Sequence, residues 1–165
     1  LLQVGIRAYS KQEAELIQTD ERITTFFARD TQSPSHGKET WDQWLETLQT
    51  LTGPVHLTID IDGLDGSLVP ATGTPVPGGL SFWQVIETIE AVFAAPKATV
   101  ISADVNEIVA QDDTPLTQFT AAMLATKSIA AHLKARKEGR WSPQGQVIGR
   151  NREANQSTFF QQILK

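Results

Sequence analysis

Two aspartates, Asp60 and Asp62, end an almost unbroken run of apolar and β-branched residues that extends from Val55 to Ile61. Such a run predicts a buried strand with helices on both of its faces. Because side chains i and i+2 of a strand point to the same side, both carboxylates are expected at the carboxyl edge of a sheet. Unpaired carboxylates are rarely fully buried, so the pair predicts a bound cation, either a divalent metal or a positively charged substrate.

Three other interpretations of this acidic segment compete with a cation site. A solvated turn would account for the Asp and Gly residues between positions 62 and 66, but Asp60 lies too far inside the apolar run to be a turn residue. An EF-hand loop counted from Asp60 fails, because Asp65 and Ala71 stand where Gly and Glu are required. A phosphatase that uses an aspartyl nucleophile and Mg²⁺ stays an alternative.

The composition narrows the class of protein. A chain of 165 residues, 40% hydrophobic and 20% charged, is typical of one globular domain with a substantial core. The net charge of −5 and the lack of a basic block argue against a nucleic-acid partner. The absence of cysteine excludes disulfides, thiolate metal sites and a Cys nucleophile, and it agrees with a cytoplasmic location. No apolar stretch approaches the roughly 18–20 residues that cross a bilayer, so no membrane partner is expected.

Strand-like and helix-like segments alternate along the chain. The predicted strands are residues 2–8, 23–28, 55–61 and 98–105, and the predicted helices are residues 10–19, 38–51, 81–93 and 114–136. Capping boxes at Ser10–Glu13 and Ser81–Gln84 mark the start of two helices, and Thr114-Pro115 predicts a helix with Pro at its first position. This alternation indicates βαβ crossovers, and therefore an α/β fold with a parallel sheet and helices on both faces.

Helical periodicity predicts which face of three helices is buried. These stripes are Trp41, Trp44, Leu45, Leu48 and Leu51 in the second helix; Phe82, Val85, Ile86, Ile89 and Val92 or Phe93 in the third; and Phe119, Ala122, Met123, Ala130 and Leu133 in the fourth. Asp112 and Asp113 suit the positive N-terminal end of that fourth helix. The connection between Gly63 and Gly79 is long for a compact domain, which predicts a functional or disordered loop.

A second acidic cluster ends the last strand. Asp104 and Glu107 close the apolar run of residues 98–105, at the same edge of the predicted sheet as Asp60 and Asp62. Ligands of open α/β sheets bind at this edge. We divide the chain into an α/β unit at residues 1–136 and a polar C-terminal extension at residues 137–165.

The segment IDIDGLDGSLVPATGTPVPGGL resembles the signature of the ureohydrolases, the family of arginase and agmatinase, and VISADVNEIV and QVGIRAYSKQEAE extend the resemblance. The resemblance implies a three-layer α/β/α fold, a dinuclear Mn²⁺ centre (with Mg²⁺ or another divalent metal possible), and hydrolysis of a small guanidino substrate to release urea. It also implies self-association as a trimer or hexamer. Polyamine metabolism is the implied setting for an agmatinase-like enzyme.

The resemblance assigns a role to four residues. Asp60 would bridge both metals and Asp62 would bind one of them, whereas Thr74 and Glu107 would face the guanidinium of the substrate. Gly66 stands where the family usually has Pro, which loosens the turn but leaves the ligands in place.

The family's other metal ligands, a histidine and a DxHxD-type cluster, have no match in this chain. Its three histidines, His36, His56 and His132, are not spaced as a metal pair. We therefore expect the carboxyl-terminal half of a ureohydrolase, which begins inside the fold, associates with the missing half and is inactive alone. The alternative is a non-catalytic ureohydrolase-like subunit or domain.

Overall fold

The computed structural model describes residues 1–110 and 115–141. Its elements in chain order are β1 (Leu2–Ile6), α1 (Lys11–Thr19), β2 (Thr24–Phe27), α2 (Ala28–Thr31), α3 (Gly37–Gln49), β3 (Thr52–Asp60), α4 (Phe82–Ala94), β4 (Lys97–Asn106) and α5 (Leu116–Lys137). The predictions for Asp112, Asp113, Thr114 and the tail from residue 142 onward lie outside the described residues. No described helix is both long and apolar enough to span a bilayer.

The strands form two parallel pairs. β1 pairs with β2 and β3 pairs with β4, with one irregularity in each register. Within the described residues the two pairs are not joined through a shared strand. Parallel strands separated by helices confirm the α/β fold that the alternation of elements predicts.

Both predicted capping boxes are present. The Ser10 hydroxyl accepts from the Glu13 N–H while the Glu13 carboxylate accepts from the Ser10 N–H, and Ser81 and Gln84 make the same reciprocal contacts. Each box satisfies donors that a helix start leaves without an intrahelical partner. The fourth predicted helix begins differently, because Pro115 is the N-cap of α5 and not its first helical residue.

The hydrophobic core lies between α3, α4, α5 and the sheets. The predicted stripes of α3 and α4 are confirmed, with Trp44, Leu48, Ile86 and Ile89 each no more than 3% exposed. The long loop contributes to the same core, because Val69 is fully buried. This irregular connection is therefore an ordered, packed element.

The predicted packing side of α5 is wrong. Phe119, Met123 and Leu133 are 66%, 48% and 55% exposed. The buried face carries mostly small residues instead: Thr117, Thr120, Ala121, Leu124, Ser128 and Ala135. Small side chains let α5 approach α4 and β4 closely, whereas the periodicity rule assigns the largest apolar residues to the core.

The expected burial of β3 on both faces is also wrong. His56, Thr58 and Asp60 alternate along one face of this strand and are exposed, whereas Ile59 on the other face is buried. The first residues of the predicted extension pack onto the α/β unit, because the Trp141 indole N–H donates to the Val100 carbonyl at 3.1 Å.

Candidate metal and substrate site

Asp60 and Asp62 lie together at the carboxyl end of β3, but the geometry differs from a strand pair. β3 ends at Asp60, and Asp62 belongs to a short 3₁₀ turn at Ile61–Gly63. The backbone N–H of Asp62 donates to Oδ1 of Asp60 at 3.2 Å. The two carboxylates are therefore brought together by a capping contact and not by the two-residue repeat of a strand.

The environment of Asp60 disfavours its negative charge. Partial burial raises the pKa of this carboxyl, and the negative charges of Asp62 and Glu107 raise it further, against the opposing effect of the Asp62 N–H. No Lys or Arg of the described residues forms an ion pair with any of these three side chains. An anionic cluster without a cationic partner is suited to bind a cation from outside the chain.

Thr74 connects the long loop to this cluster. Its hydroxyl donates to Oδ2 of Asp62 at 2.6 Å, and the residue is exposed. The structure thus brings Thr74 to the predicted site, in contact with a carboxylate that is the predicted metal ligand.

Glu107 follows β4 and lies on the other side of the same loop. A methyl group placed on Gly73 would be 3.9 Å from Oε2 of Glu107, so this carboxylate lies beside the turn that contains Thr74. Glu107 has φ of +60°, the only positive φ among the non-glycine residues described. This sparsely populated conformation is strained for a residue with a side chain, and it directs the chain away from β4 at the point where the cluster forms.

Arg7 is a residue that the sequence analysis missed. Its Nη2 donates to the carbonyls of Asp62 at 2.7 Å, Leu64 at 3.0 Å and Val76 at 2.7 Å. The guanidinium joins the 3₁₀ turn to the far part of the long loop and holds both against the end of β1. Periodicity does not single it out, because these three carbonyls belong to residues more than 50 positions away along the chain.

Asp65 is the third acidic residue of the segment, and its role is structural. Its Oδ1 accepts from the N–H and hydroxyl of Ser67 at 3.0 and 2.5 Å, and Oδ2 accepts from the Gly78 N–H at 2.7 Å. These hydrogen bonds, those from Ser67 first, lower the pKa of Asp65 to about 2. The solvated-turn interpretation therefore fits Asp65, but not Asp60.

The histidines lie apart from one another. His56 and Asp104 face each other across β3 and β4, with Nε2 3.0 Å from Oδ2, and Nδ1 of His56 is 2.8 Å from the Ser102 hydroxyl. His36 lies 3.8 Å from Asp30, and His132 lies between the rings of Phe93 and Trp141.

Among the described residues, no group of three or more His, Cys, Asp or Glu side chains could hold a metal ion. Asp60 and Asp62 nevertheless have the chemistry of a partial site. Carboxylate oxygens suit Mg²⁺ and Mn²⁺, and partial burial together with the neighbouring negative charges raises the pKa of Asp60. Asp60 and Asp62 therefore fit a divalent metal, to which they would supply the smaller part of the ligands.

Comparison with known proteins identifies the family. A sequence profile described as "Arginase family" matches residues 1–131. The N(1)-aminopropylagmatine ureohydrolase of Thermococcus kodakarensis is 36% identical over 132 residues, which cover 79% of this chain and 41% of that protein. The agmatinase of Pyrococcus horikoshii is 33% identical over 73% of this chain and 38% of its own length. The chain thus spans about two fifths of the curated relatives that it matches.

Solved structures give the same result. The agmatine ureohydrolase of Thermoplasma volcanium superimposes with a TM-score of 0.68 at 27% identity, covering 84% of this chain and 44% of that one. The arginase of Bacillus caldovelox superimposes with a TM-score of 0.64 at 26% identity, covering 77% of this chain and 42% of that one. The fold is arginase-like. Because the family profile matches most of the length of the chain, this chain belongs to the arginase family.

Proposed function

We propose that this chain contributes part of the active site of a ureohydrolase that cleaves an agmatine-type or arginine-type guanidino compound and releases urea. One observation carries the proposal. Asp60, Asp62, Thr74 and Glu107 converge at the carboxyl ends of β3 and β4. Among the described residues, no Lys or Arg side chain forms an ion pair with the three carboxylates.

In the proposed site, Asp60 and Asp62 would be the residues of this chain that hold the divalent metal, Mn²⁺ in the proposal, through their carboxylate oxygens. When bound, a metal pair supplies Lewis acidity and activates a water molecule at neutral pH. Asp60 stands at the rigid end of a strand, which suits a ligand that must be held in a fixed position. The metal charge would offset the burial and repulsion that raise the pKa of Asp60 in the chain itself.

Glu107 and Thr74 are the proposed contacts of the substrate. A carboxylate pairs strongly with a planar guanidinium through two parallel hydrogen bonds, and Glu107 lies beside the turn that contains Thr74. Because the Thr74 hydroxyl is already committed to Asp62 as a donor, its oxygen is left to accept a hydrogen bond from the substrate's N–H groups.

A reconstitution experiment tests the proposal. The chain is co-expressed with the part of the Thermococcus kodakarensis relative that the match does not cover, and Mn²⁺ content and urea release from agmatine and arginine are measured. We expect about two Mn²⁺ per assembled site, urea release that the isolated chain lacks, and loss of both in Asp60→Asn. An assembled protein without metal or urea release would favour the non-catalytic subunit, and Asp60-dependent hydrolysis of a phosphate ester would favour the phosphatase. A cytoplasmic location and a trimeric or hexameric state stay predictions.

A further inference from the structure

The pairing of β3 with β4 shifts by one residue in the middle of the two strands. Val55 lies opposite Val100, whereas His56 lies opposite Ser102, so Ile101 is an extra residue on β4. Such an insertion is a β-bulge, which is rare between parallel strands. The bulge decides which residues of β4 lie opposite the last residues of β3.

The apolar residues of β4 account for the bulge. Val100 belongs to the hydrophobic core and Val105 packs against it, but five positions separate the two residues. Because a strand alternates its faces at every residue, positions an odd number apart point to opposite sides. One extra residue between them returns both valines to the core face, and it turns Ser102 and Asp104 to the other face.

On that other face, side chains of β3 form hydrogen bonds with Asp104 of β4. Nε2 of His56 lies 3.0 Å from Oδ2 of Asp104, and Nδ1 of His56 lies 2.8 Å from the Ser102 hydroxyl. A neutral imidazole protonated on Nε2 satisfies both contacts, because it donates to Asp104 and accepts from Ser102. The Thr58 hydroxyl donates to Oδ1 of Asp104 at 2.7 Å. His56 therefore joins β3 to the two polar residues of β4 that follow the bulge.

The same face leads to the acidic cluster. Asp60 lies opposite Asn106, and Glu107 is the next residue of the chain. The Asn106 amide, oriented to donate, lies 2.6 Å from Oδ1 of Asp104 and 3.2 Å from the Ile59 carbonyl. Hydrogen bonds between side chains thus continue from the bulge to the last pair of the two strands.

A register without the bulge would displace Glu107. Asp60 would then lie opposite Val105, and Glu107 would move by about 3.3 Å along the strand direction and turn to the other face. The contacts of His56 exist only in the bulged register, because they require Ser102 and Asp104 to be on its face of the sheet. These contacts therefore favour the register that places Glu107 beside the cluster.

We propose that His56 and Asp104 are positioning residues, which fix the register of β3 and β4 beyond the bulge and so hold Glu107 beside Asp60 and Thr74. Neither side chain belongs to the proposed metal and substrate contacts, and both act through the pairing of the strands. Asp104, which the sequence groups with Glu107 as an acidic cluster, thus has a separate role. The inference rests on the proposed function, because that function assigns the substrate contact to Glu107.

The absence of cysteine from the chain allows a direct measurement of the register. Leu57→Cys combined with Ala103→Cys places two thiols on paired residues beyond the bulge, and Thr52→Cys combined with Lys97→Cys places them on paired residues before it. Equilibration with glutathione gives the effective concentration of each thiol pair. His56→Ala is expected to lower this value about tenfold beyond the bulge, since it removes two hydrogen bonds, and to leave the value before the bulge unchanged. An unchanged value beyond the bulge, or equal losses at both pairs, overturns the proposal.

Two further variants separate positioning from a general effect of the substitution. His56→Gln can donate to Asp104 and accept from Ser102 through its amide, so it should retain most of the effective concentration that His56→Ala loses. His36→Ala is the matched control, because the His36 side chain is 51% exposed, compared with 53% for His56, and its partner Asp30 lies outside β3 and β4. The control should leave both thiol pairs unchanged. A Gln variant no better than the Ala variant, or an equal effect of His36→Ala, contradicts the positioning role.

The assembled protein of the reconstitution experiment provides a second measurement. His56→Ala should raise the KM for the guanidino substrate about tenfold and leave the Mn²⁺ content unchanged, because β4 carries the substrate contact Glu107 and β3 carries Asp60. Loss of metal without a change in KM overturns the proposal. The thiol-pair measurements require neither metal nor activity, so they decide the proposal even where the assembled protein releases no urea and the proposed function fails.

Discussion

The hydroxyl of Thr74 donates to Oδ2 of Asp62 at 2.6 Å, so the long loop is anchored directly on a proposed metal ligand. Partners that orient a ligand contribute to metal affinity as well as to geometry. Thr74 is therefore placed to act on Asp62 as well as on the substrate.

Thr74→Val is expected to lower the Mn²⁺ affinity of the assembled protein by about 10–100-fold, the usual effect of removing an outer hydrogen-bond partner. Thr74→Ser keeps the donor and should retain most of the affinity. Metal titration and steady-state kinetics on both variants separate the two roles. A raised KM with unchanged metal affinity would assign Thr74 to the substrate alone.

Arg7→Met is expected to destabilise the chain by about 2–3 kcal/mol, because it removes charge-assisted hydrogen bonds to carbonyls of the turn and the loop. Arg22→Met is the matched control. Arg22 pairs with Asp20 through an 88% exposed side chain, and such solvent-exposed pairs contribute little to stability. Urea denaturation measures the stability of both variants. Equal losses of stability would contradict the role of Arg7 as an anchor of the turn and the loop.

Gly79→Ala is expected to destabilise the chain by about 1–3 kcal/mol. A Cβ at this position would lie 2.4 Å from the backbone carbonyl carbon of Leu64, which cannot move without disturbing its bridge to Leu80. At Gly63 a Cβ meets nothing within 4 Å, so Gly63→Ala should change the free energy of unfolding by less than about 1 kcal/mol. Thermal or urea unfolding of the Gly79→Ala and Gly63→Ala variants measures this difference. A similar loss of stability in both variants would refute the prediction.

Asp65 makes stability depend on pH in the acidic range. Because folding lowers its pKa from 3.8 to about 2, the stabilisation is complete above the unfolded value and is lost as pH falls through the folded value. Asp65→Asn should therefore reduce the free energy of unfolding at pH 7, and the difference from the native chain should shrink between about pH 4 and pH 2. Urea denaturation at several pH values measures this difference.

A carboxyl titration of Asp65 by NMR gives a direct check on the same contact. Ser67→Ala should raise the pKa of Asp65, because the Ser67 hydroxyl is one of the two hydrogen-bond donors to Oδ1 of Asp65. An Asp65 that titrates at the ordinary value in the native chain would contradict the structural part assigned to it.

Local patterns in the sequence determined much of this protein. The two capping boxes and the stripes of α3 and α4 depend on residues three or four positions apart, and such spacing is fixed by helix geometry alone. The position of Asp60 at the end of an apolar run likewise predicted its place at a strand's carboxyl end. The ureohydrolase-like signature indicated the family.

Contacts between distant segments were decided by the tertiary structure. The buried side of α5 consists mostly of small residues, which let it approach α4 and β4 closely, although Phe119 and Met123 dominate its periodicity. Arg7 donates to carbonyls of the turn and the loop that lie more than 50 residues away. These contacts have no local signature, because backbone carbonyls are common to all residues. Side-chain spacing therefore fixes the elements, whereas the partners of those backbone groups are set only when the elements pack.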